Sequence, residues 1–264
     1  MKKYTLYLIW LLIGLHTLPV SAQDKAPKKK KAEIYFSWGY NTEWYTRGRL
    51  HIDQPSLGNK YVINQFRAHD HRGWDEGLFS RALTIPQYNY RLGFFLKKDP
   101  TLGFEINFDH TKYIITDAQY VHLKGTYENR QIDSMAFFAH SNGSYYYLNN
   151  GANFLLFNVV KRAQKYMNAK GTVKIDLLGK AGIGPLIPHV ENSFFGKANK
   201  PHFQLGGWNI GTEGAVRATF FRHVYLEFSG KLDYARYSGL KIYEGKARQA
   251  FGTAELILSL GLTL

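Results

Sequence analysis

The chain predicts an all-β fold, an eight-stranded antiparallel transmembrane barrel with short periplasmic turns and long extracellular loops. Three observations carry that prediction. Several stretches alternate apolar and polar residues with period two. They are long for strands, a dozen residues or more. They also follow an N-terminal segment with the makeup of a secretion signal.

The signal comes first. Met1, Lys2 and Lys3 precede an apolar run from Tyr4 to about Leu15, and Val20-Ser21-Ala22 offers small residues for cleavage. That run is shorter than the roughly 20 residues a spanning helix needs. Residues 1–22 therefore read as a removable signal peptide, residues 23–32 as a basic periplasmic lead, and residues 33–264 as the barrel domain. With no Cys, the exported chain is not stapled by disulfides. A mean hydropathy of −0.33 is too polar for a helical membrane protein and suits a barrel, whose inward and outward faces average out. The net charge of +14, on a chain exported from the cytoplasm, excludes nucleic acid as a partner and favours anionic head groups.

Strands are expected near residues 33–46, 85–97, 101–115, 144–161, 172–186, 202–221, 223–236 and 249–264. In Leu102-Gly103-Phe104-Glu105-Ile106-Asn107-Phe108-Asp109 every second residue is apolar, so one face is oily and the other polar. Val173–Leu177, Leu226–Asp233 and Ala254–Leu260 repeat the pattern. The links at Lys98-Asp99-Pro100, at Arg162 to Gly171 and at Arg222 are tight; those at 47–84, 116–143, 187–201 and 237–248 are long. Short turns at one end and long loops at the other match an outer-membrane barrel, inserted by the barrel-assembly machinery and expected to be monomeric. Ile34, Phe36, Leu92, Phe104, Phe228, Leu256 and Leu258 should face lipid. Arg91, Glu105, Asp109, Asp176, Lys180, Glu213, Arg217, Glu227, Lys231, Asp233 and Glu255 should face inward. Eight strands leave a lumen that side chains fill, so those charges should pair across it. Tyr88, Tyr90, Tyr145-Tyr146-Tyr147, Tyr234 and Tyr237 read as an interfacial aromatic girdle, with a binding platform as the alternative.

The long loops gather the residues that carry chemistry. His69-x-His71 puts two imidazoles on one side of an extended segment; with Asp109 or His110 nearby they are candidate ligands for a divalent metal. No nucleotide or flavin fingerprint is present. His140-Ser141 is the only adjacent His–Ser pair. Basic loop residues, Arg47, Arg49, Arg67, His189, Arg236 and Lys241 together with Lys197, Lys200, Lys246 and Arg248, are candidates for contacts with lipopolysaccharide.

Two segments are similar to outer-membrane lipid A oxidases: Asp53-Gln54-Pro55-x-x-Gly58, and Gly103-Phe104-Glu105-Ile106-Asn107-Phe108-Asp109-His110-Thr111-Lys112. The likeness covers about residues 47–115. It implies oxidation of the proximal glucosamine of lipid A at the outer rim, with Asp53, Asp109 and His110 as catalytic residues and His69 and His71 as metal ligands. A broader resemblance, to the porin-like and opacity-like outer-membrane barrels, spans the mature chain and implies no activity. Lipid A 3-O-deacylases carry a His-x-Ser pair; here Ser141 follows His140 directly, so the two would point apart. The expectation is thus an outer-membrane barrel that contacts lipopolysaccharide in a surface or structural role. The alternative is a lipid A-modifying enzyme, oxidase-like or deacylase-like, acting at the outer leaflet.

Overall fold

The computed structural model describes residues 32–76 and 86–264. The expected signal peptide, nearly all of the basic lead and residue 85 of the second expected strand lie outside the described residues. Along the chain, β1 (Glu33–Tyr45) is a wall strand, and β2 (Gly48–Gln54), β3 (Asn59–Phe66) and β4 (Ala68–His69) lie above the wall. The hairpin of β5 (Tyr88–Phe95) and β6 (Leu102–His110) returns to the wall. Then β7 (Tyr113–Ile115), β8 (Gln119–Tyr127), β9 (Arg130–Phe138) and β10 (Tyr145–Leu148) rise again. A second wall hairpin, β11 (Phe154–Met167) and β12 (Val173–Leu186), is followed by the short β13 (His189–Phe194), β14 (Lys197–Ala198) and β15 (His202–Phe203). The wall ends with β16 (Gly207–Phe220), β17 (Val224–Ile242) and β18 (Gly245–Thr263).

Among the described residues, β1, β5, β6, β11, β12, β16, β17 and β18 pair in that order, and β18 pairs back onto β1 from Tyr35↔Thr263 to Tyr45↔Thr253. The ring is closed and leaves no edge in the wall. Following partners around it from Ile34 through Phe94, Phe104, Val159, Ala181, Thr212, Leu232 and Ala254 returns to Trp44, a stagger of 10 residues. With ordinary strand rise and spacing, that stagger over eight strands tilts them by about 40°.

Closure sorts the side chains. Outward, Leu226, Phe228, Leu232, Leu256, Leu258 and Leu260 are exposed. Along β17 the outward positions from Val224 to Tyr234 are apolar or Gly; at this tilt they rise about 25 Å, the height of a barrel's hydrocarbon belt. Trp38, Tyr40, Tyr88, Tyr90, Trp208 and Tyr234 also lie on this outer face. Inward, the ions pair in tiers. Nearest the short turns, Arg162 meets Glu33 at 2.5 Å and lies over the Phe95 ring. Above it, Arg217 meets Glu227 at 2.6 Å between the rings of Tyr35 and Tyr225. Lys180 reaches Glu105, Glu213 and Glu227 at 2.8–3.1 Å. Higher still, Asp109 lies 2.6 Å from both Arg91 and Lys231. Each of these ions has a partner of opposite charge; removing one member of a buried pair costs about 3–5 kcal/mol.

Among the described residues, the expected long loops are built largely of strands. The top of β18, Lys246 to Gln249, pairs with β2, and the sheet continues through β3 and β8 to β9. A second sheet runs β14-β13-β10-β7-β4. The inward positions of both sheets form one apolar core, including Leu50, Ile52, Tyr61, Ile63, Phe66, Val121, Leu123, Phe138, Tyr146, Leu148, Val190 and Phe194. This cap lies over the mouth of the barrel. There, Phe251 stacks on Tyr113 at 4.3 Å and contacts Tyr45 and Tyr237.

Several boundaries differ from expectation. The third wall strand ends at His110, with Tyr113–Ile115 in the second sheet. The fourth runs on to Met167, so the expected link from Arg162 shortens to residues 168–172. The fourth wall strand starts at Phe154, because Gly151 and Asn153 take positive φ and detach Tyr145–Leu148 into the cap. The sixth starts at Gly207, whose φ of 141° and close approach to the Arg236 carbonyl (a Cβ would sit 2.0 Å from that oxygen) admit only Gly. Residues 237–248 form a hairpin tip in place of a loop: β17 and β18 simply outrun the wall. The girdle is corrected accordingly. Tyr146 is buried in the cap, and Tyr237 is turned inward, its hydroxyl donating to the Ala152 carbonyl at 2.7 Å.

Candidate functional site

The alternation that buries Leu50 and Ile52 on β2 places Arg49, His51 and Asp53 on the opposite, solvent-facing side. On β18 the same rule turns Lys246 and Arg248 outward while Ala247 and Gln249 go in; on β17 it turns out Tyr234 and Arg236. Register then brings these side chains together. Arg248 lies opposite His51, Lys246 opposite Asp53, and Arg236 opposite Ala250. Beyond β2, Asn64 opposes Arg49 and His122 opposes Asn64.

The result is a basic strip on the outer face of the cap sheet, continuous with the outward, apolar side of β17 and β18. It is indented by neighbouring clefts. Arg47, Arg49, His122 and Lys124 line one. A second, of about 230 Å³, is lined by Arg49, His51, Tyr234, Arg236, Arg248 and Ala250. A third holds His51, Asp53, Lys60, Lys246 and Arg248. Burial, and then the Arg248 and Arg49 guanidiniums, hold the His51 imidazole below its usual pKa. The strip can therefore attract anions and donate several charged hydrogen bonds to one group.

Of the ten residues expected to contact lipopolysaccharide, Arg47, Arg49, Arg236, Lys246 and Arg248 fall on this strip. Lys197 on β14 belongs to the second sheet, and the exposed Lys200 to the link after that strand. Arg67 lies exposed between β3 and β4, its backbone N–H donating to Gln119. His189 is buried in the second sheet, edge-on to Phe203. Lys241 stands at the tip of the β17–β18 hairpin, its backbone N–H donating to Gln204. His51, not among the expected residues, completes the strip, and the alternation in Arg47-x-Arg49-x-His51 is the signal for it.

The expected catalytic set does not converge. Asp53 is on the cap's outer face. Asp109 is sealed in the lumen, bound by Arg91, Lys231 and Asn107. His110, the next residue, lies on the other side of the wall, stacked on Tyr88 at 4.6 Å with its Nδ1 2.8 Å from Asn153 Oδ1. The two histidines expected to share a metal have separate partners. His69 Nδ1 is 3.0 Å from Thr116 Oγ1, while His71 Nε2 is 2.8 Å from Glu76 Oε1. Between them, Asp70 accepts from the Thr42 hydroxyl and the Glu43 N–H, tying this segment to β1. Among the described residues no three His, Asp or Glu side chains could hold a metal ion, and these positions do not fit one. In the cap, His140 contacts Tyr147 and Asp117, and Ser141 makes no hydrogen bond with it.

No protein-family model matches the sequence, and no curated protein is significantly similar to it. In architecture the chain is similar to the crystal structure of Neisserial surface protein A (NspA), at 11% identity over 88% of this chain and 96% of that one, with a TM-score of 0.37. It is also similar to the outer membrane protein OprG from Pseudomonas aeruginosa, at 10% identity over 89% of this chain and 97% of that one, with a TM-score of 0.43.

Proposed function

We propose that this chain is an integral outer-membrane barrel with a surface or structural role. Its lumen is closed to ions, and its cap holds anionic glycolipid of the outer leaflet against the basic strip. One observation carries the reading: the apolar belt and the basic strip occupy the same face of the same two strands. On β17, Arg236 follows Tyr234, the top of the belt, by two residues, about 5 Å along the barrel axis at the tilt derived above. A cation at that height meets phosphates and sugars while the side chains below it meet acyl chains. The paired ions of the lumen and the aromatic stack at its mouth support a closed interior.

The test is twofold. In planar bilayers the purified protein should give no steady current; sustained single-channel conductance would overturn the closed interior. Extracted from outer membranes in a mild detergent, it should retain lipopolysaccharide in stoichiometric amount, and release it as salt rises. Retention no greater than that of an unrelated barrel would overturn the glycolipid contact. Lipid A from cells with and without the gene should give identical mass spectra, since Asp53, Asp109 and His110 stand apart.

A further inference from the structure

Five of the described guanidiniums lie within hydrogen-bonding reach of a carboxylate or carbonyl, the fifth being Arg222 on the Lys170 carbonyl. Arg91, Arg162 and Arg217 each meet a carboxylate in the lumen, and Arg72 meets Asp75 in the cap. Among the described residues Arg47, Arg49, Arg67, Arg130, Arg236 and Arg248 have no such partner. Three of these, Arg49, Arg236 and Arg248, are grouped and line one cleft. Three like charges held side by side repel one another, and an anion between them relieves that repulsion.

The shape of the cleft is specific as well. Its floor is Ala250, with its direct cross-strand partner Arg236 on β17, Arg49 on the other neighbouring strand, β2, and Arg248 two residues away on β18 itself. A methyl group at that position is what leaves room between the guanidiniums. At the membrane-side edge, Tyr234 packs against Trp208 at 5.9 Å, presenting aromatic surface beside the cations. Planar forks that bind tetrahedral oxyanions, next to rings that accept the apolar face of a pyranose, make a site for a phosphate attached to a sugar.

We infer that the cleft formed by Arg49, Arg236 and Arg248 over Ala250 is a recognition site for a phosphorylated saccharide. This rests on the glycolipid reading and narrows it to one site and one chemistry. The shared chemistry is a sugar phosphate, and it can arrive on a lipid anchor or free in solution.

The experiment uses the full mature chain and two probes. One is glucosamine 6-phosphate, titrated into the protein in octyl glucoside. The other is bisphosphorylated lipid A, incorporated in phosphatidylcholine nanodiscs that hold the protein. The variants are Ala250→Leu, which fills the cleft at unchanged charge, Arg236→Gln/Arg248→Gln, which removes donors, and Lys165→Gln/Lys170→Gln, which removes equal charge at the short-turn end. The expected result is that both cleft variants weaken binding by about tenfold or more, while the lysine variant binds like wild type. Loss in both arms identifies a site open to soluble sugar phosphates, and loss in the nanodisc arm alone identifies a lipid-borne ligand. Wild-type binding by both cleft variants, or equal weakening by the lysine variant, overturns the inference. If Ala250→Leu fails to show the heat-dependent gel shift of a folded barrel, the arginine variant decides. A chain that never inserts into bilayers would instead sink the membrane reading itself, so the two failures are distinguishable.

Discussion

Replacing Lys231 with Met should cost this barrel a large part of its stability. The Lys231 ammonium is 2.6 Å from Asp109, 3.3 Å from Asp233 and 3.7 Å from Glu255, with its side chain 2% exposed. Asp109 keeps Arg91 in the variant. Among the described residues, Asp233 and Glu255 lose their only cation, and Glu255 retains just the amide of Asn41 at 2.6 Å. Breaking a buried pair costs about 3–5 kcal/mol, against a typical total of about 5–15 kcal/mol. Urea unfolding of vesicle-inserted protein, followed by Trp fluorescence, measures the difference at neutral pH. Acid should narrow it, since a carboxyl that takes up a proton no longer needs the ammonium. Neutralising the stranded acids as well, in Lys231→Met/Asp233→Asn/Glu255→Gln, should recover most of the loss. A single variant within about 1 kcal/mol of wild type at neutral pH, or a triple variant no better than the single, would refute the argument that these ions hold the lumen together.

Other substitutions probe the belt, the cap and the strip. Phe228→Lys puts a charge near the middle of the outward face of β17 and should destabilise the inserted state by about 2–4 kcal/mol, read from the unfolding midpoint in vesicles; an unchanged midpoint would mean that this face does not meet lipid. Phe251→Ala removes the ring stacked on Tyr113 and should cost about 3–5 kcal/mol, with the cap becoming sensitive to protease before the wall. For His51, NMR titration should find a pKa below the usual value, rising in Arg248→Gln and rising again with a bound phosphate. Because its folded pKa is depressed, its contribution to stability is present above the unfolded value, about 6.5, and is lost as pH falls below it.

The wall was legible in the sequence because its strands are long and alternate cleanly. Leu226 to Asp233 and Ala254 to Leu260 expose one oily and one charged face, so Lys180, Arg217, Lys231 and their acidic partners could be assigned to the interior before any coordinates. The cap was not. Gly48–Gln54 alternates too, with Leu50 and Ile52 against Arg49, His51 and Asp53, but its charge and its short length gave it the composition of a loop. Tyr145–Leu148 runs so close to Phe154 that it read as part of the wall strand, until the positive φ values at Gly151 and Asn153 separate them. The candidate catalytic residues stand apart for a reason the alternation already gives. Asp109 and His110 are neighbours in sequence, and successive strand residues point apart, so one entered the ion network and the other the outer surface. Distance along the chain says little about whether Asp53 and Asp109 meet; only the pairing of β18 with β2 settles where Asp53 goes.

The ribbon formed by β17 and β18 crosses the wall and continues into the cap as one hydrogen-bonded pair, interrupted by a bulge at Ser238 and Gly239. Such a mast cannot swivel independently of the cylinder beneath it. On the function proposed above, whatever leans the cylinder in a bilayer, such as a change in leaflet thickness, would carry the arginine side chains with it and so alter how they meet a bound sugar.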